Sequence, residues 1–322
     1  MHSELTPDEI ATLDEALQRP PSSLWRDALR HVFHKRSAIV GMVILGILVF
    51  VAIFHPLLAP FDPTKSMLDV PEQAAAGVHK RMSPCIHLLG CPKDQPQHIL
   101  GTDGNVRDLF SRILYGSKWS LIIGFTTVGF AIVIGTVLGG VGGYLGGWAD
   151  NLIMRIMDVL LAFPSLLLAI AIVTVLGAGL INALIAIGIV SIPAYARVVR
   201  SSVLSVREMD FVSATRALGA SNMRILFRRI LPNALTPLIV QGTLGIATAI
   251  LDAAALSFLG LGAQPPTPEW GAMLGAERNQ VFTAPHLVFL PGAAIAVTVL
   301  SFNLLGDGLR DALDPRLAHV SR

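Results

Sequence analysis

The sequence predicts an all-α protein that spans a membrane six times. Of the 322 residues, 53% are hydrophobic and only 14% are charged, whereas a soluble globular domain carries about 25% charged residues. Five long stretches contain no Asp, Glu, Lys or Arg, namely residues 37–61, 119–149, 159–196, 230–251 and 279–306. A helix needs about 20 apolar residues to cross the hydrocarbon layer. The same composition excludes a soluble domain, a collagen, a coiled coil and a disulfide-rich secreted scaffold.

These stretches define the six predicted spans. The stretch 159–196 is long enough for two helices, and Gly177-Ala178-Gly179 in its middle favours a turn. The predicted spans are residues 37–58, 119–143, 156–176, 180–198, 231–262 and 287–306. The fifth is longer than a bilayer requires, so we expect it to end in irregular backbone around Gly260, Gly262 and Pro265-Pro266.

The distribution of positive charge predicts the orientation, because short cytoplasmic loops carry an excess of Lys and Arg. Five basic residues precede the first span and only Asp27 opposes them: Arg19, Arg26, Arg30, Lys35 and Arg36. Seven more lie between the fourth and fifth spans: Arg197, Arg200, Arg207, Arg216, Arg224, Arg228 and Arg229. With six spans, both termini are therefore predicted to be cytoplasmic. The net charge of +2 gives no indication of nucleic-acid binding.

The regions outside the spans complete the predicted organisation. Residues 1–36 form a cytoplasmic region in which a capping box at 6–9 predicts a helix over 7–18. Apolar residues at helical spacing over 24–33 predict a helix on the membrane surface, with a simple solvated helix as the alternative. Residues 59–118 form an extracytoplasmic loop region, 119–306 the five-helix core with a segment at 201–229 discussed below, and 307–322 a cytoplasmic tail. The polar start indicates no cleavable signal peptide, so the span at 37–58 would be an uncleaved anchor.

Both cysteines, Cys85 and Cys91, lie in the extracytoplasmic loop region. An oxidising exterior permits a disulfide between them, and two unpaired thiols are the alternative. A zinc site with the nearby His87 and His98 is less favoured, because no paired C-x-x-C accompanies them. No metal site is therefore predicted.

The sequence offers no catalytic constellation. It has no GxxxxGK[ST] phosphate loop, no HExxH and no GxSxG, so neither an enzyme nor a bound cofactor is predicted. Within the spans the only ionisable candidate is Asp252. At 1.5 Å per residue it lies about 31 Å along a helix that starts near residue 231, close to the outer interface. It is a candidate for the mouth of a translocation pathway, or else a carboxylate that caps a helix or reaches the headgroups.

Two patterns indicate contacts with other helices or proteins. Gly135, Gly139 and Gly143 form a small-xxx-small face, whose partner helix lies in this chain or in another subunit. On the cytoplasmic side, residues 209–219 predict a short helix with Gly219 at its C-cap, followed by a second helix from Ser221 to Leu231-Pro232. Phe211, Ala214 and Leu218 share one face of the first helix. Such a compact projection with a small apolar face suits a partner's groove.

The same cytoplasmic segment carries a resemblance to a known family. Ser213-Ala214-Thr215, then Gly219, then Ile230-Leu231-Pro232 resembles the EAA motif of importer-type ABC permeases, the segment that docks into the ATPase subunit. Further strings resemble the C-type permeases of peptide and nickel importers, at 100–103, 107–108, 196–200, 256–262, 265–271 and 303–316. The resemblance covers about residues 36–317, and the string at 250–256 is most similar to the dipeptide permease.

Two residues depart from the family's pattern. Ser213 stands where a Glu heads the motif, which removes a salt bridge to the ATPase through that side chain. Val106 stands where a Gly is expected two residues before Asp108, and residues 80–98 are longer than usual. These departures change the conformation expected for the loop, but they leave the resemblance to the family intact.

The resemblance implies an importer-type ABC permease fold with a cytoplasmic coupling helix, in the cell (inner) membrane. It implies one permease half of an ATP-driven peptide importer, with a B-type permease, two ATPase subunits and an extracytoplasmic peptide-binding protein as partners. The chain itself would bind no ATP. The residues that the motif assigns to coupling are Phe211, Ser213, Ala214, Thr215, Leu218 and Gly219.

Two other functional classes compete with this interpretation. A secondary carrier or channel acting without an ATPase would show inverted repeats and buried charges, and neither is evident. A membrane-embedded enzyme is disfavoured because the catalytic motifs are missing. The substrate stays open, since a dipeptide, a longer peptide, haem or a nickel chelate is compatible with a separate binding protein that selects the cargo.

Overall fold

The computed structural model describes Phe33, residues 35–92 and residues 95–313. The helix predicted over 7–18, nearly all of the surface helix predicted over 24–33, and the end of the chain from 314 lie outside the described residues. Within the described part all regular secondary structure is helical, and the pairing of extended backbone is limited to two isolated bridges, Cys85 with His98 and Thr102 with Asp108. Both lie in the loop of residues 59–108, which we call the outer loop after its predicted side.

Nine helices organise the described part, and we number them in chain order. They are α1 (Arg36–Leu58), α2 (Leu109–Leu145), α3 (Gly147–Leu161), α4 (Ser165–Leu176), α5 (Leu180–Arg207), α6 (Asp210–Ala217), α7 (Thr236–Phe258), α8 (Trp270–Glu277) and α9 (His286–Leu313). Shorter helical pieces lie at Pro71–Ala75, Asn222–Ile225, Leu226–Ile230 and Leu231–Ala234. Helices α1, α2, α5, α7 and α9 are long and apolar enough to cross a membrane, and α3 with α4 gives a sixth span if the bent pair is counted as one.

The bent pair differs from the continuous third span expected at 156–176. Helix α3 already begins at Gly147, and the axes of α3 and α4 differ by 91°. The break falls at Ala162, Phe163 and Pro164. Proline cannot donate the helical hydrogen bond and disfavours helical backbone in the residue before it, so a single straight helix is not maintained here.

Helix α2 begins at Leu109 rather than at residue 119. The carboxylate of Asp108 caps its start by accepting from the backbone N–H of Ser111 at 2.8 Å and from the Ser111 hydroxyl at 2.7 Å. A capped start needs no apolar sequence, because the carboxylate satisfies a free N–H of the first turn. The polar first turns therefore lengthen the helix beyond its apolar part, towards the outer loop region.

The predicted fifth span is divided into several pieces. A π-helix at Leu226–Ile230 and a short helix at Leu231–Ala234 precede α7, which starts at Thr236 with Pro237 in its first turn. Helix α7 ends at Phe258, and Gly260 then adopts a φ of +80°. The irregular backbone expected after this span is therefore present, although the helix itself is shorter than 231–262.

The core forms where α2 packs against α5, and the glycine face of α2 makes that approach possible. A Cβ added to Gly135 would lie 2.7 Å from the Cβ of Tyr195, and one added to Gly143 would lie 3.0 Å from the carbonyl oxygen of Arg200. A Cβ on Gly139 would clash with the carbonyl of Ala196. The partner of the small-xxx-small face is therefore α5 of the same chain.

Helices α1 and α9 pack side by side at the edge of this core. A Cβ on Gly41 would lie 2.8 Å from the carbonyl oxygen of Ser301, so the two backbones are in close contact. At the end of this pair, the ammonium of Lys35 forms an ion pair with the carboxylate of Asp311. The start of α1 and the end of α9 therefore lie on the same side of the molecule.

Candidate functional site

Helix α6 is the exposed helix in the segment that the family resemblance assigns to coupling. Of its side chains only Val212 is buried, and it belongs to the main apolar core. Phe211 is 39% exposed and Leu218, just after the helix, is 88% exposed. Ala214 and Ser213 are exposed and Thr215 is half-buried. The predicted face of Phe211, Ala214 and Leu218 is thus present and uncovered in the chain alone.

Gly219 ends α6 through its backbone conformation. Its φ is +79°, its N–H donates to the carbonyl of Arg216 at 3.0 Å, and the next N–H, of Ala220, donates to the carbonyl of Thr215 at 3.3 Å. This pair of bonds is the Schellman arrangement, in which glycine follows the C-cap. The C-cap itself is Leu218. A Cβ on Gly219 would meet nothing within 4 Å, so a substitution is disfavoured by the backbone angle rather than by a clash.

The helical segment after Gly219 is not the single α-helix expected from Ser221 to Leu231. Ser221 occupies the N-cap position of Asn222–Ile225, but its side chain makes no capping hydrogen bond. The segment continues as the π-helix and the short helix described above. Its anchors are buried apolar side chains: Ile225, Leu226, Ile230 and Leu231.

A polar contact joins this segment to the long helix α2. The hydroxyl of Tyr144, in the last turn of α2, donates to the side-chain oxygen of Asn222 at 2.9 Å. Beside it, the guanidinium of Arg207 donates to the carbonyls of Gly143 and Tyr144 at 3.2 and 3.3 Å. These carbonyls are at the end of a helix, where they lack helical partners. The end of α2 is thereby attached to both flanks of α6.

Two further ion pairs connect α3 with α5 on the same side. The guanidinium of Arg200 donates to both carboxylate oxygens of Asp150 at 2.5 and 2.6 Å, and that of Arg197 donates to Asp158 at 2.6 Å. The sequence analysis uses these arginines only for orientation and does not identify the acidic partners. The one signal for them in the sequence is that Asp150 directly follows the charge-free stretch 119–149 and Asp158 directly precedes the stretch 159–196.

Asp252 lies in the last two turns of α7, at the end remote from α6. Its side chain is half-buried, whereas the following Ala253 and Ala254 are buried. Among the described residues it forms no ion pair. This placement is compatible with either role considered for it, and its part in a pathway stays a prediction.

The two cysteines lie close together in the outer loop, where the structure joins them in a disulfide. The Cα atoms of Cys85 and Cys91 are 5.4 Å apart, within the range that a disulfide bridges. The two histidines considered as zinc ligands have other partners: His98 contacts the carboxylate of Asp108 at 2.9 Å, and His87 contacts the carbonyl of Gln95 at 2.8 Å. In the described part, no three His, Cys, Asp or Glu residues are grouped as a metal site.

Asp103 organises the outer loop just before α2. Its Oδ1 accepts from the N–H groups of Asn105 and Arg107 at 2.8 and 2.9 Å, and its Oδ2 accepts from the Arg107 side chain at 2.8 Å. The buried guanidinium of Arg112 lies 3.5 Å from the same carboxylate. The strings at 100–103 and 107–108 are therefore parts of one buried polar cluster, a role that spacing in the sequence does not reveal.

Val106 has the backbone conformation that suits the glycine expected at this position. Its φ is +59°, in the left-handed region that costs a residue with a Cβ about 1–2 kcal/mol. Its side chain is nevertheless fully buried against Met67, Val78 and Met82. The burial of an apolar side chain offsets the strain, which lets the loop keep a glycine-like backbone without glycine.

Glu277 at the end of α8 holds two parts of the outer loop. Its carboxylate accepts from the side chain of Arg81 at 3.0 Å and from the backbone N–H of Gly104 at 2.8 Å. At the other end of α8, the carboxylate of Glu269 caps the helix by accepting from the N–H groups of Gly271 and Ala272. Burial raises the pKa of Glu269 above its usual value. Helix α8 is thus fixed at both ends by acidic side chains.

The described residues form a bundle of five apolar spans, or six if the bent pair α3 and α4 is counted as one, with the exposed helix α6 outside it. Residues 131–319 match the family of binding-protein-dependent transport system inner membrane components, and residues 23–76 match the N-terminal transmembrane domain of oligopeptide transport permease C. The chain belongs to this family, in its C-type peptide permease branch, and is a permease subunit of an ATP-driven importer. The predicted family, fold class and permease role are confirmed.

The most similar relatives include three bacterial permeases. The dipeptide transport system permease of Alkalihalophilus pseudofirmus is 49% identical over 295 residues, covering 92% of this chain and 91% of the relative. The di/tripeptide permease of Pseudomonas aeruginosa is 47% identical, covering 89% and 91%. The glutathione permease of Pectobacterium atrosepticum is 42% identical, covering 96% of each chain.

A solved structure supports the fold. The permease chain in an inward-facing form of the MetNI methionine ABC transporter superposes with a TM-score of 0.51 at 22% identity. The superposition covers 64% of this chain and 98% of that chain. At this level of identity the likeness establishes the importer permease fold alone.

Proposed function

We propose that this chain forms one half of the pathway of an ATP-driven importer of dipeptides and couples that pathway to the ATPase subunits through α6. The observation that carries the coupling role is the uncovered apolar face of Phe211, Ala214 and Leu218 beside a glycine hinge. Relatives named for dipeptide, di/tripeptide and glutathione transport support a short peptide as the cargo.

The proposed assembly contains a B-type permease, two ATPase subunits and an extracytoplasmic peptide-binding protein. In this assembly the ATPases cover the α6 face, so α6 and the positively charged segment around it lie in the cytoplasm, as do both termini. The ion pair of Lys35 with Asp311 supports the placement of both termini on one side, because it joins the start of the first span to the end of the last.

The coupling would proceed through the contacts of α6. When ATP binding draws the ATPases together, they displace α6, and the displacement reaches α2 through the bond of Tyr144 with Asn222 and through Arg207. Because α2 and α5 are packed backbone against backbone, the two spans move together. Two permease halves moving in this way alternate the opening of the pathway between the two membrane faces. Asp252, near the outer end of α7, is the proposed polar group at the outer mouth.

Reconstitution in liposomes tests this proposal. The chain, its partner permease, the two ATPases and the binding protein are assayed for uptake of a labelled dipeptide, glutathione and a nickel chelate. We expect dipeptide uptake that needs both ATP and the binding protein. Uptake by the permeases without ATP would instead indicate a secondary carrier or channel, and ATP-driven uptake of only the nickel chelate would overturn the assigned cargo.

A further inference from the structure

A cleft of about 360 Å³ lies where α1 ends and α2 begins. The polar and aromatic side chains that line it are His55, Asp62, Thr64, Tyr115, Lys118 and Trp119, and residues 266–268 complete its wall. The rings of His55 and Tyr115 meet edge to face with their centroids 4.1 Å apart. The cleft is therefore a built pocket between two spans and an outer loop, and the proposed coupling function makes no use of it.

The cleft opens beside exposed apolar side chains of α1. Next to His55, the side chains of Phe54 and Leu57 are 41% and 82% exposed. On a membrane span, large exposed apolar side chains contact lipid wherever no partner subunit covers them. Tyr and Trp, which Tyr115 and Trp119 supply here, concentrate at the level of the phospholipid headgroups. A molecule that enters the cleft from the part of this side left uncovered by the partner permease is a membrane lipid.

The cleft carries one cation and one anion that are not paired with each other. The side chain of Lys118 is exposed, lies with its Nζ 5.9 Å from the centre of the Trp119 ring, and forms no ion pair within the described residues. Asp62 accepts hydrogen bonds from the Thr64 N–H at 2.9 Å and hydroxyl at 2.6 Å. These bonds hold the pKa of Asp62 below its usual value, so the carboxylate is charged at neutral pH.

Among the described residues Asp62 makes one ion pair, which leaves most of its charge available. Its partner Lys65 lies 3.9 Å away and is 68% exposed, and exposed pairs of this kind contribute little. A ligand that suits the cleft therefore presents an anionic group to Lys118 and a cationic donor to Asp62, with an apolar part that continues along α1.

We propose that this cleft binds the headgroup of a zwitterionic phospholipid with a primary ammonium group, its phosphate at Lys118 and its ammonium at Asp62. A phosphate accepts charge-assisted hydrogen bonds from a lysine, and a primary ammonium donates them to a carboxylate. A choline headgroup lacks the N–H donors for Asp62, and a glycerol headgroup lacks the cation. The site therefore prefers phosphatidylethanolamine over phosphatidylcholine and phosphatidylglycerol.

Lipid competition on the intact protein tests the proposal. The full chain, purified with its copurifying subunits, is equilibrated with equal amounts of the three phospholipids, and the retained lipids are counted by native mass spectrometry. We expect phosphatidylethanolamine to be retained at least about five-fold over phosphatidylcholine, the discrimination that a hydrogen bond to a charged group provides. Equal retention of the three lipids by the parent protein would overturn the proposal without any variant.

Variants locate the site. Asp62→Asn is expected to abolish the preference over phosphatidylcholine, and Lys118→Gln to lower the retention of phosphatidylethanolamine. Lys65→Gln is the matched control, because it removes the same charge three residues from Asp62 but outside the cleft lining, and it should behave as the parent. If Lys65→Gln has the effect of Lys118→Gln, the effect is one of general surface charge and the proposal fails. Release of the lipid by a millimolar dipeptide, which carries the same two charges, would assign the cleft to peptide and also overturn it.

Discussion

The hydroxyl of Tyr144 and the side-chain amide of Asn222 are hydrogen-bonded at 2.9 Å, although the two residues are 78 positions apart in the chain. The bond links the end of the spanning helix α2 to the segment that follows α6. A displacement of α6 can therefore be transmitted to the core of the bundle through this hydrogen bond.

We expect Tyr144→Phe to weaken coupling more than assembly. The variant loses a hydrogen bond that contributes about 1 kcal/mol but keeps the ring in place. Yield and membrane insertion should be near those of the parent, whereas peptide uptake per ATP hydrolysed should fall about three-fold. Asn222→Ala should have a similar effect, and the double variant should be no worse than either, as for two partners of one contact. Additive losses in the double variant would contradict a shared contact.

Gly219→Val should reduce peptide uptake and transport-stimulated ATP hydrolysis together. At a φ of +79°, a β-branched residue is strained by about 1–2 kcal/mol, which tilts α6 away from its partner, so a loss of at least about five-fold is expected. Gly260→Val is the matched control, because Gly260 has a φ of +80° and an equally open surrounding, but lies after α7. Parent-like coupled activity in Gly219→Val would show that this segment is not the coupling element.

At position 106 we expect the usual order of stability of alanine and glycine variants to be reversed. Val106→Ala keeps the strained backbone and removes buried apolar atoms, so a loss of about 1–2 kcal/mol is expected. Val106→Gly removes slightly more buried surface but also removes the strain, and it should be at least as stable as Val106→Ala. The order of stability is measured by thermal unfolding of the purified subunit, with the protease resistance of the outer loop as the readout. A glycine variant clearly less stable than the alanine variant would show that the strain is not significant.

Cys85 and Cys91 should be oxidised to each other in the inserted protein. A thiol reagent applied to unreduced membranes should then modify neither, and should modify both after reduction and unfolding. Quantitative alkylation of both cysteines before reduction would contradict the disulfide.

The orientation is testable with single cysteines. At Ser22, Lys93, Ser221 and Ser321, in a background lacking Cys85 and Cys91, only position 93 should react with an impermeant reagent applied outside. Positive charge near the spans favours this topology. External labelling at position 221 would place α6 on the wrong side for an ATPase.

The sequence is sufficient to predict where the apolar helices lie but not all their ends and breaks, because apolar length is a local property of the chain. It is also sufficient for the exposed face of Phe211, Ala214 and Leu218, since these residues share a face at helical spacing. The early start of α2 depends on the cap by Asp108, and the bend between α3 and α4 depends on Pro164. Both residues are present in the sequence, but a prediction based on hydropathy takes no account of capping or of a helix break.

Contacts between distant residues are the part that the sequence could not supply. Asp150 and Arg200 are 50 positions apart, and nothing in their spacing selects one partner over another acidic residue. The same holds for Glu277, which bonds to Arg81 from 196 positions away. The glycine face of α2 is evident from its spacing, yet only the three-dimensional arrangement identifies α5 as its partner.

The hydrogen bonds from Arg81 and Gly104 to Glu277 have a consequence for how the spans move. They tie the loop that leads into α2 to the helix that leads towards α9, so the outer ends of these spans are fastened to one another. The other ends are joined by the close contact of Gly143 with Arg200, by the bond of Arg207 to the end of α2, and by the bond of Tyr144 with Asn222. We therefore expect the outer ends of these spans to move as one unit when α6 is displaced.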